Sequence, residues 1–422
     1  MANGSSDGLA RHAAQRWCAG GWKVLAAAGA ALALASCGSL NPSSQNSNGD
    51  FTASVPVTPV QAEPLPGPQG SADQIGTGPV HVAMILPLTQ GSGGSSLVGT
   101  SLRNAADLAL SETGSTDITI IVKDDHSTPD GARDAAQAAI AEGDSLIIGP
   151  LFSPNVREVA RLAQAANKPV IAFSTDTSTA GPGVYLLSFL IENYVDRIVD
   201  YAASQGKKSF AALIPDNDYG RVAEAEFQQF AARRGLRVME IEHYQPQTMR
   251  AAVKKIAALG NQIDTLFIPE QADAMPAMAQ ALAAAGIDSR KVQILGTGLW
   301  NDARVLSLPA LQGAWFAAPD NSGFTAFAER YRARFNSDPT RIATLGYDAA
   351  SLVVALARTP GTDHFSKDVL AGRAGFNGVD GVFRFMPNGL NERALAILQI
   401  NNGTTAQLSA APRNLASSPS AT

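Results

Sequence analysis

The run Val80-His81-Val82-Ala83-Met84-Ile85-Leu86, followed by the loop Pro87-Leu88-Thr89-Gln90-Gly91-Ser92-Gly93-Gly94-Ser95, decides the fold. An apolar run of this length without polar alternation reads as a strand covered on both faces. The Gly/Ser loop ends it, and an Ala-rich amphipathic helix is predicted over 97–111. The unit then repeats. Strands are predicted over 117–123, 145–148 and 169–173, with helices over 129–142 and 154–167. A second series has helices over 194–205, 220–234, 248–259 and 272–285. Its strands fall at 209–214, 236–241, 265–268 and 292–295. Two series of apolar strands alternating with helices predict an α/β protein of two doubly wound parallel-sheet lobes.

After 315–317 the order changes. Helices are expected over 324–335 and 342–358. Residues 375–385 and 394–400 read as a hairpin turning at Pro387-Asn388-Gly389. Such an ending completes each lobe with a returning segment, so several crossings should form the hinge. The expected division is 79–191 plus 320–360 for the N-terminal lobe and 192–319 plus 361–402 for the C-terminal lobe.

The flanks read differently. In residues 1–36, Arg11, Arg16 and Lys23 precede or open onto an apolar run over 24–34. That run is shorter than the roughly 20 residues a membrane-spanning helix needs, and it suits a cleaved signal segment. Leu34-Ala35-Ser36-Cys37 resembles the bacterial lipobox, which makes Cys37 the expected lipidated residue. The alternative is a buried or soft transmembrane helix ending at a chance Cys. Cleavage would remove Cys18 and leave Cys37 alone, so no internal disulfide is expected. Residues 37–78, rich in Ser, Asn, Gly, Gln and Pro, read as a disordered tether, and 403–422 as a disordered polar tail. The net charge of -5 argues against nucleic acid and against a polybasic membrane patch.

In doubly wound sheets ligands bind beyond the carboxyl ends of the strands. The loops there carry Ser95, Ser153, Ser174, Thr175 and Asp176 in the first lobe, and Tyr219, Glu270 and Trp300 in the second. Hydroxyls, backbone N–H groups and a helix N-terminus can hold a carboxylate. Ser153 before Pro154 is equally a helix cap, and so is Asp218. Tyr219 and Trp300 are either ligand walls or packing. Asp124-Asp125 is either an acid pair for metal or phosphoryl chemistry or a strand-end turn. Gly91–Ser95 lacks the Lys of a phosphate loop and the spacing of a dinucleotide fingerprint. No nucleophile-elbow or zinc-protease motif is present. His81, His126, His243 and His364 have no partner motif. No catalysis, metal or cofactor is expected.

These residues carry a resemblance. His81-Val-Ala-Met-Ile-Leu-Pro-Leu88, Asn104-Ala-Ala-Asp-Leu-Ala-Leu110, Ile148-Gly-Pro-Leu151, Lys168-Pro-Val-Ile-Ala-Phe-Ser174 and Asp218-Tyr-Gly220 resemble type 1 periplasmic binding proteins of the Leu/Ile/Val-binding class. Leu345-Gly-Tyr-Asp-Ala349 and Phe376-Asn-Gly-Val-Asp-Gly-Val-Phe-Arg-Phe385 continue the likeness, which covers about 79–401. Gly149-Pro150-Leu151, Ala172-Phe173-Ser174 and Leu295-Gly-Thr-Gly-Leu-Trp300 are similar to the lipoprotein branch called penicillin-binding protein activator. That branch implies a regulator of peptidoglycan synthesis docking on a cell-wall synthase. The wider class implies a solute-binding protein that takes a small polar ligand in the inter-lobe cleft and delivers it to an ABC permease. By resemblance, Ser153 and Ser174 to Asp176 match the positions that hold a ligand carboxylate, and Tyr219 matches the ligand cover. The acid that usually holds the amino group is missing from Gly296-Thr297-Gly298. Asp176 stands where a neutral hydroxyl residue is usual, and Glu270 is a candidate to replace the lost charge. The implied place is the periplasm, on a membrane lipid anchor. Gly38, not Asp, follows Cys37, which by resemblance favours the outer membrane.

Overall fold

A computed structural model describes residues 74–361 and 363–415. The predicted signal segment, Cys37 and all of the tether before Gln74 lie outside the described residues. Among the described residues no helix is long and apolar enough to cross a membrane.

The first sheet is built from β1 (Gln74–Gly76), β2 (Val80–Leu86), β3 (Ile118–Asp124), β4 (Ile147–Ile148), β5 (Val170–Ala172) and β6 (Val184–Leu186). Its order is β1-β3-β2-β4-β5-β6, parallel apart from β1. The helices α1 (Leu97–Thr113), α2 (Pro129–Glu142) and α3 (Ser153–Ala165) connect these strands. Val82, Met84 and Leu86 face one core and Ala83 and Ile85 the other, so β2 is buried on both sides. Ser96 starts α1 by accepting from the Gly99 N–H at 3.2 Å, and Gly114 ends it in the left-handed conformation.

The second lobe runs through α4 (Ile191–Ser204), β7 (Ser209–Pro215), α5 (Asp218–Arg234), β8 (Arg237–Tyr244), α6 (Met249–Ala257), β9 (Thr265–Phe267), α7 (Met275–Ala284), β10 (Gln293–Gly296), α8 (Ala303–Leu306) and β11 (Trp315–Ala318). The chain continues through α9 (Asn321–Phe335), α10 (Ala343–Ala357), α11 (Lys367–Leu370), β12 (Phe376–Gly378), β13 (Gly381–Phe385), β14 (Asn391–Arg393), β15 (Ala396–Asn401) and β16 (Thr404–Ser409). The second sheet has the order β16-β15-β11-β10-β9-β7-β8. In both sheets the first parallel strand of the lobe lies between the second and the third. The chain reverses its direction of travel there, between β2 and β4 and between β7 and β9. A crevice opens at such a switch point. Three segments cross between lobes: β6 to α4, β11 to α9, and β14 to β15.

The ending departs from the expected hairpin. β13 pairs with β12 and β14, with Phe385 opposite Asn391, while β15 pairs with β11 and β16. The turn at 387–389 is present, but the strand it returns into is β14, three residues long. Aromatic packing explains this. Phe385 lies 5.3 Å from Tyr185 and Phe383 lies 5.7 Å from Phe376, inside the first lobe's core. The Leu186 N–H also donates to the Gly389 carbonyl at 2.8 Å. Residues 361–402, expected whole in the second lobe, are therefore shared between the two.

Two segments read as disordered are ordered here. Gln74–Gly76 pairs antiparallel with β3 and buries Ile75. Thr404–Ser409 pairs with β15, and Leu415 is buried. Asn402 and Gly403 have φ of 49° and 79°, the conformation of a tight hairpin turn. An edge strand is held by its backbone bonds, so a polar composition does not exclude it.

Candidate functional site

The first-lobe side of the crevice begins where β4 ends. Gly149 has φ +84°, and a Cβ there would stand 2.0 Å from the Ile85 carbonyl oxygen on β2. Only glycine lets the chain leave β4 so close to β2. Ser153 is then the first residue of α3. It is not the cap: that position is Phe152, which makes no side-chain cap bond. The first-turn N–H groups of α3 have no side-chain acceptor from the cap, and the positive end of the helix faces the loop. Likewise Asn217, not Asp218, caps α5, accepting from the Gly220 N–H at 2.8 Å.

Ser174 is buried after β5, and its hydroxyl accepts from the Asp176 N–H at 3.1 Å. Thr175 is exposed beside it. Asp176 accepts from the Ser178 hydroxyl at 2.6 Å and from Arg157 at 2.7 Å. The Ser178 bonds, with Ser153 and Arg157 adding to them, hold this carboxyl below the usual carboxylate range. Ser153, Ser174 and Asp176 thus form one cluster. Arg157 neutralises the charge at the position where a neutral residue is usual.

On the opposite lobe, the Tyr219 hydroxyl donates to Thr297 Oγ1 at 2.7 Å, joining the loops after β7 and β10. Burial pushes the Tyr219 phenol above its ordinary value. Gly298 allows the β10 loop to lie flat on Tyr194: a Cβ there would stand 2.4 Å from the ring. Glu270 is buried, and its carboxylate is already satisfied by the Tyr244 hydroxyl and the Gln271 N–H, both at 2.6 Å. Trp300 is fully buried in the second lobe's core, where Nε1 donates to the Glu270 carbonyl at 3.2 Å. Its role is packing and not a ligand wall. Ser95 is exposed in the loop after β2, bridged to Thr89.

The acid pair after β3 is structural. Asp124 Oδ1 accepts from the Leu88 and Thr89 N–H groups at 3.0 and 3.2 Å. Asp125, fully buried, accepts from Asn155 at 2.8 Å. Together they fasten the loop after β2 and the start of α3. Among the described residues no cluster of His, Cys, Asp and Glu is arranged to hold a metal ion.

The floor of the crevice, at the crossings, holds residues the sequence did not single out. The Arg341 guanidinium lies 4.8 Å from the Phe189 ring and 4.7 Å from Phe324, and it grips buried Asp380 with bonds of 2.6 and 3.0 Å. Arg393 lies 5.0 Å from Phe189 and 5.2 Å from Phe383, with Asp348 at 3.8 Å. Glu192 stands in the first turn of α4, and its Oε2 is buried without a hydrogen-bond partner. Asn391 ties Ser188 to Asn193 across the same junction. Arg341, Arg393 and Asn391 are each far in sequence from their partners, and no local motif marks them.

A family model described as periplasmic binding protein matches residues 79–405. Among curated proteins nothing matches. Solved structures match at low identity. A protein described as a branched-chain amino acid ABC transporter from Rhodospirillum rubrum is 20% identical, with a TM-score of 0.68 over 78% of this chain and 99% of its own. An ABC transporter substrate-binding protein from Desulfitobacterium hafniense, in complex with Leu, is 19% identical, with a TM-score of 0.58 over 78% and 99%. A solute-binding protein of an ABC transporter from Rhodopseudomonas palustris, in complex with 3,4-dihydroxybenzoic acid, is 22% identical, with a TM-score of 0.53 over 79% and 98%. At these identities the structures speak for the fold.

Proposed function

Because the chain belongs to the periplasmic binding protein family, we propose that it is the solute-binding component of an ABC transporter, taking an amino acid or a related small polar ligand between its lobes. One observation carries the reading. The uncapped start of α3 and the Ser153–Ser174 cluster stand at the switch point of one lobe, and the Tyr219–Thr297 pair stands at the ligand-binding end of the other. The N–H groups of α3 and the Ser hydroxyls suit a carboxylate. The Tyr219 ring, fixed by its bond to Thr297, suits the role of a cover. The relatives solved with leucine and with an aromatic carboxylate support a ligand of this kind. The family supports a periplasmic location, and a lipid on Cys37 would tether the protein to a membrane beside its permease.

Thermal unfolding of the protein against the twenty L-amino acids and a set of small aromatic carboxylates tests this. A ligand at a hundred times its Kd adds about 2.7 kcal/mol of stability. A rise in the unfolding midpoint with at least one compound, lost in Ser174→Ala and reduced in Tyr219→Ala, is the expected result. No rise with any compound would contradict the proposal.

A second reading keeps the fold but not the cargo: a regulator of peptidoglycan synthesis like the penicillin-binding protein activator branch, docking on a cell-wall synthase. The acid missing after β10, where Gly296-Thr297-Gly298 stands, is what favours it. Affinity capture from envelope extracts that never recovers a synthase would count against it.

A further inference from the structure

The crevice lies at the carboxyl ends of the strands. A second hollow lies at the amino ends of the second sheet, where α4 and α5 finish and β7 and β8 begin. Its volume is about 660 Å³. The lining carries Lys207, Lys208, Arg234 and Arg237 against a single acid, Asp200. These cations come from separate places in the chain. Lys207 and Lys208 stand in the turn from α4 into β7, Arg234 is the last residue of α5, and Arg237 is the first of β8. The parallel pairing of β7 with β8 sets them side by side, since the Arg237 N–H donates to the Lys208 carbonyl at 3.1 Å.

Part of this charge is already used. Arg234 pairs with Asp200 and complements the end of α5. Asp264 gives its carboxylate to the Lys208 and Ser209 N–H groups at 2.9 and 3.2 Å and to the Thr265 hydroxyl at 2.9 Å. Arg237 donates to the Ser209 hydroxyl at 2.5 Å, which leaves its charge unmatched. Among the described residues the Lys207 and Lys208 ammonium groups have neither a hydrogen bond nor an ion pair, although Lys207 is half-buried. The carboxyl ends of α4 and α5 bring about half a negative charge each, less than the cations that remain. A chain of net charge -5 therefore gathers a local positive excess in a concave place.

We propose that this hollow binds a phosphate group, free in solution or carried on a lipid headgroup. A phosphate presents several acceptor oxygens at once. The planar Arg237 guanidinium can meet two of them, and the two lysines act as point charges. A lone carboxylate would leave most of these donors unmet. The hollow is at the opposite end of the sheet from Tyr219 and Thr297, so the proposal does not rest on the solute-binding reading.

Two arms test the proposal and separate the sources. In the first, inorganic pyrophosphate is titrated by calorimetry at low salt into wild type, the double variant Lys207→Gln/Lys208→Gln, and Arg237→Gln. Lys254→Gln, which changes an exposed lysine on α6, controls for net charge. In the second, the same proteins are sedimented with phosphatidylcholine vesicles that contain or lack phosphatidylglycerol. Pyrophosphate binding that weakens about tenfold or more in the lining variants, stays unchanged in Lys254→Gln and falls with added salt supports a free phosphate ligand. Extra retention on phosphatidylglycerol vesicles, lost in the lining variants, supports a lipid headgroup. The two lysines hold no partner, so the double variant keeps the test usable if Arg237→Gln does not fold. Absence of binding in both arms would overturn the proposal. Binding that the lining variants retain, or that Lys254→Gln loses equally, would overturn it too.

Discussion

Single residues at the crevice are held by contacts that make their replacement measurable. Gly298 meets the Tyr194 ring so closely that Gly298→Ala must push the β10 loop or the ring aside. Overpacking of this kind costs about 1–3 kcal/mol, and urea denaturation should show it as a lower midpoint at unchanged slope. Asp348 gives a pH signature. It is buried at the hinge, where its Oδ1 accepts from the Val379 N–H at 2.7 Å. Burial pushes its carboxyl up to about 7, against the pull of Arg393. From pH about 4 to about 7, the unfolded chain releases a proton that the folded chain retains, so this residue's contribution to stability falls as pH rises. Below that window both forms are protonated and the contribution is constant. Asp348→Asn keeps the acceptor for Val379 and removes the titration. Unfolding free energy measured across the window should therefore slope less steeply in the variant.

The lone site residues were only partly legible. Ser153, Ser174, Asp176 and Tyr219 could be read as candidates because they follow strand ends, where a loop position carries meaning. Trp300 follows a strand end too, yet it turns inward, and nothing local distinguishes a ring that covers a cleft from one that fills a core.

At the level of elements, the sheets were readable and the returning segment was not. Buried parallel strands announce themselves by composition, as 80–86 does. β13 and β15 are both apolar, and composition cannot say which lobe each one joins. Phe383 and Phe385 settle it by packing against Tyr185 and Phe376. β16 did carry a signal, the Asn402-Gly403 pair between two strands, which its polar composition masked. The crossing elements are also where the hinge is pinned. Arg341 grips Asp380, whose side chain has no exposure. Arg341→Ala takes away the partner of that carboxylate, and because Arg341 is itself partly exposed the loss should be about 1–3 kcal/mol, whereas Arg341→Lys should recover part of it. Equal denaturation midpoints for wild type and Arg341→Ala would mean that Asp380 finds another partner.

The molecule as a whole is two similar lobes joined by three short crossings. Three strands of linkage permit bending more readily than sliding, and hinge closure is the motion such an architecture supports. Lobe closure on a small solute would draw the Ser153–Ser174 cluster toward Tyr219 and remove the ligand from water. Small-angle X-ray scattering of the full chain, with and without a saturating mixture of the twenty L-amino acids, measures this directly. The account predicts a smaller radius of gyration when the mixture is present, with the decrease abolished in Ser174→Ala. A radius unchanged by the mixture would contradict it.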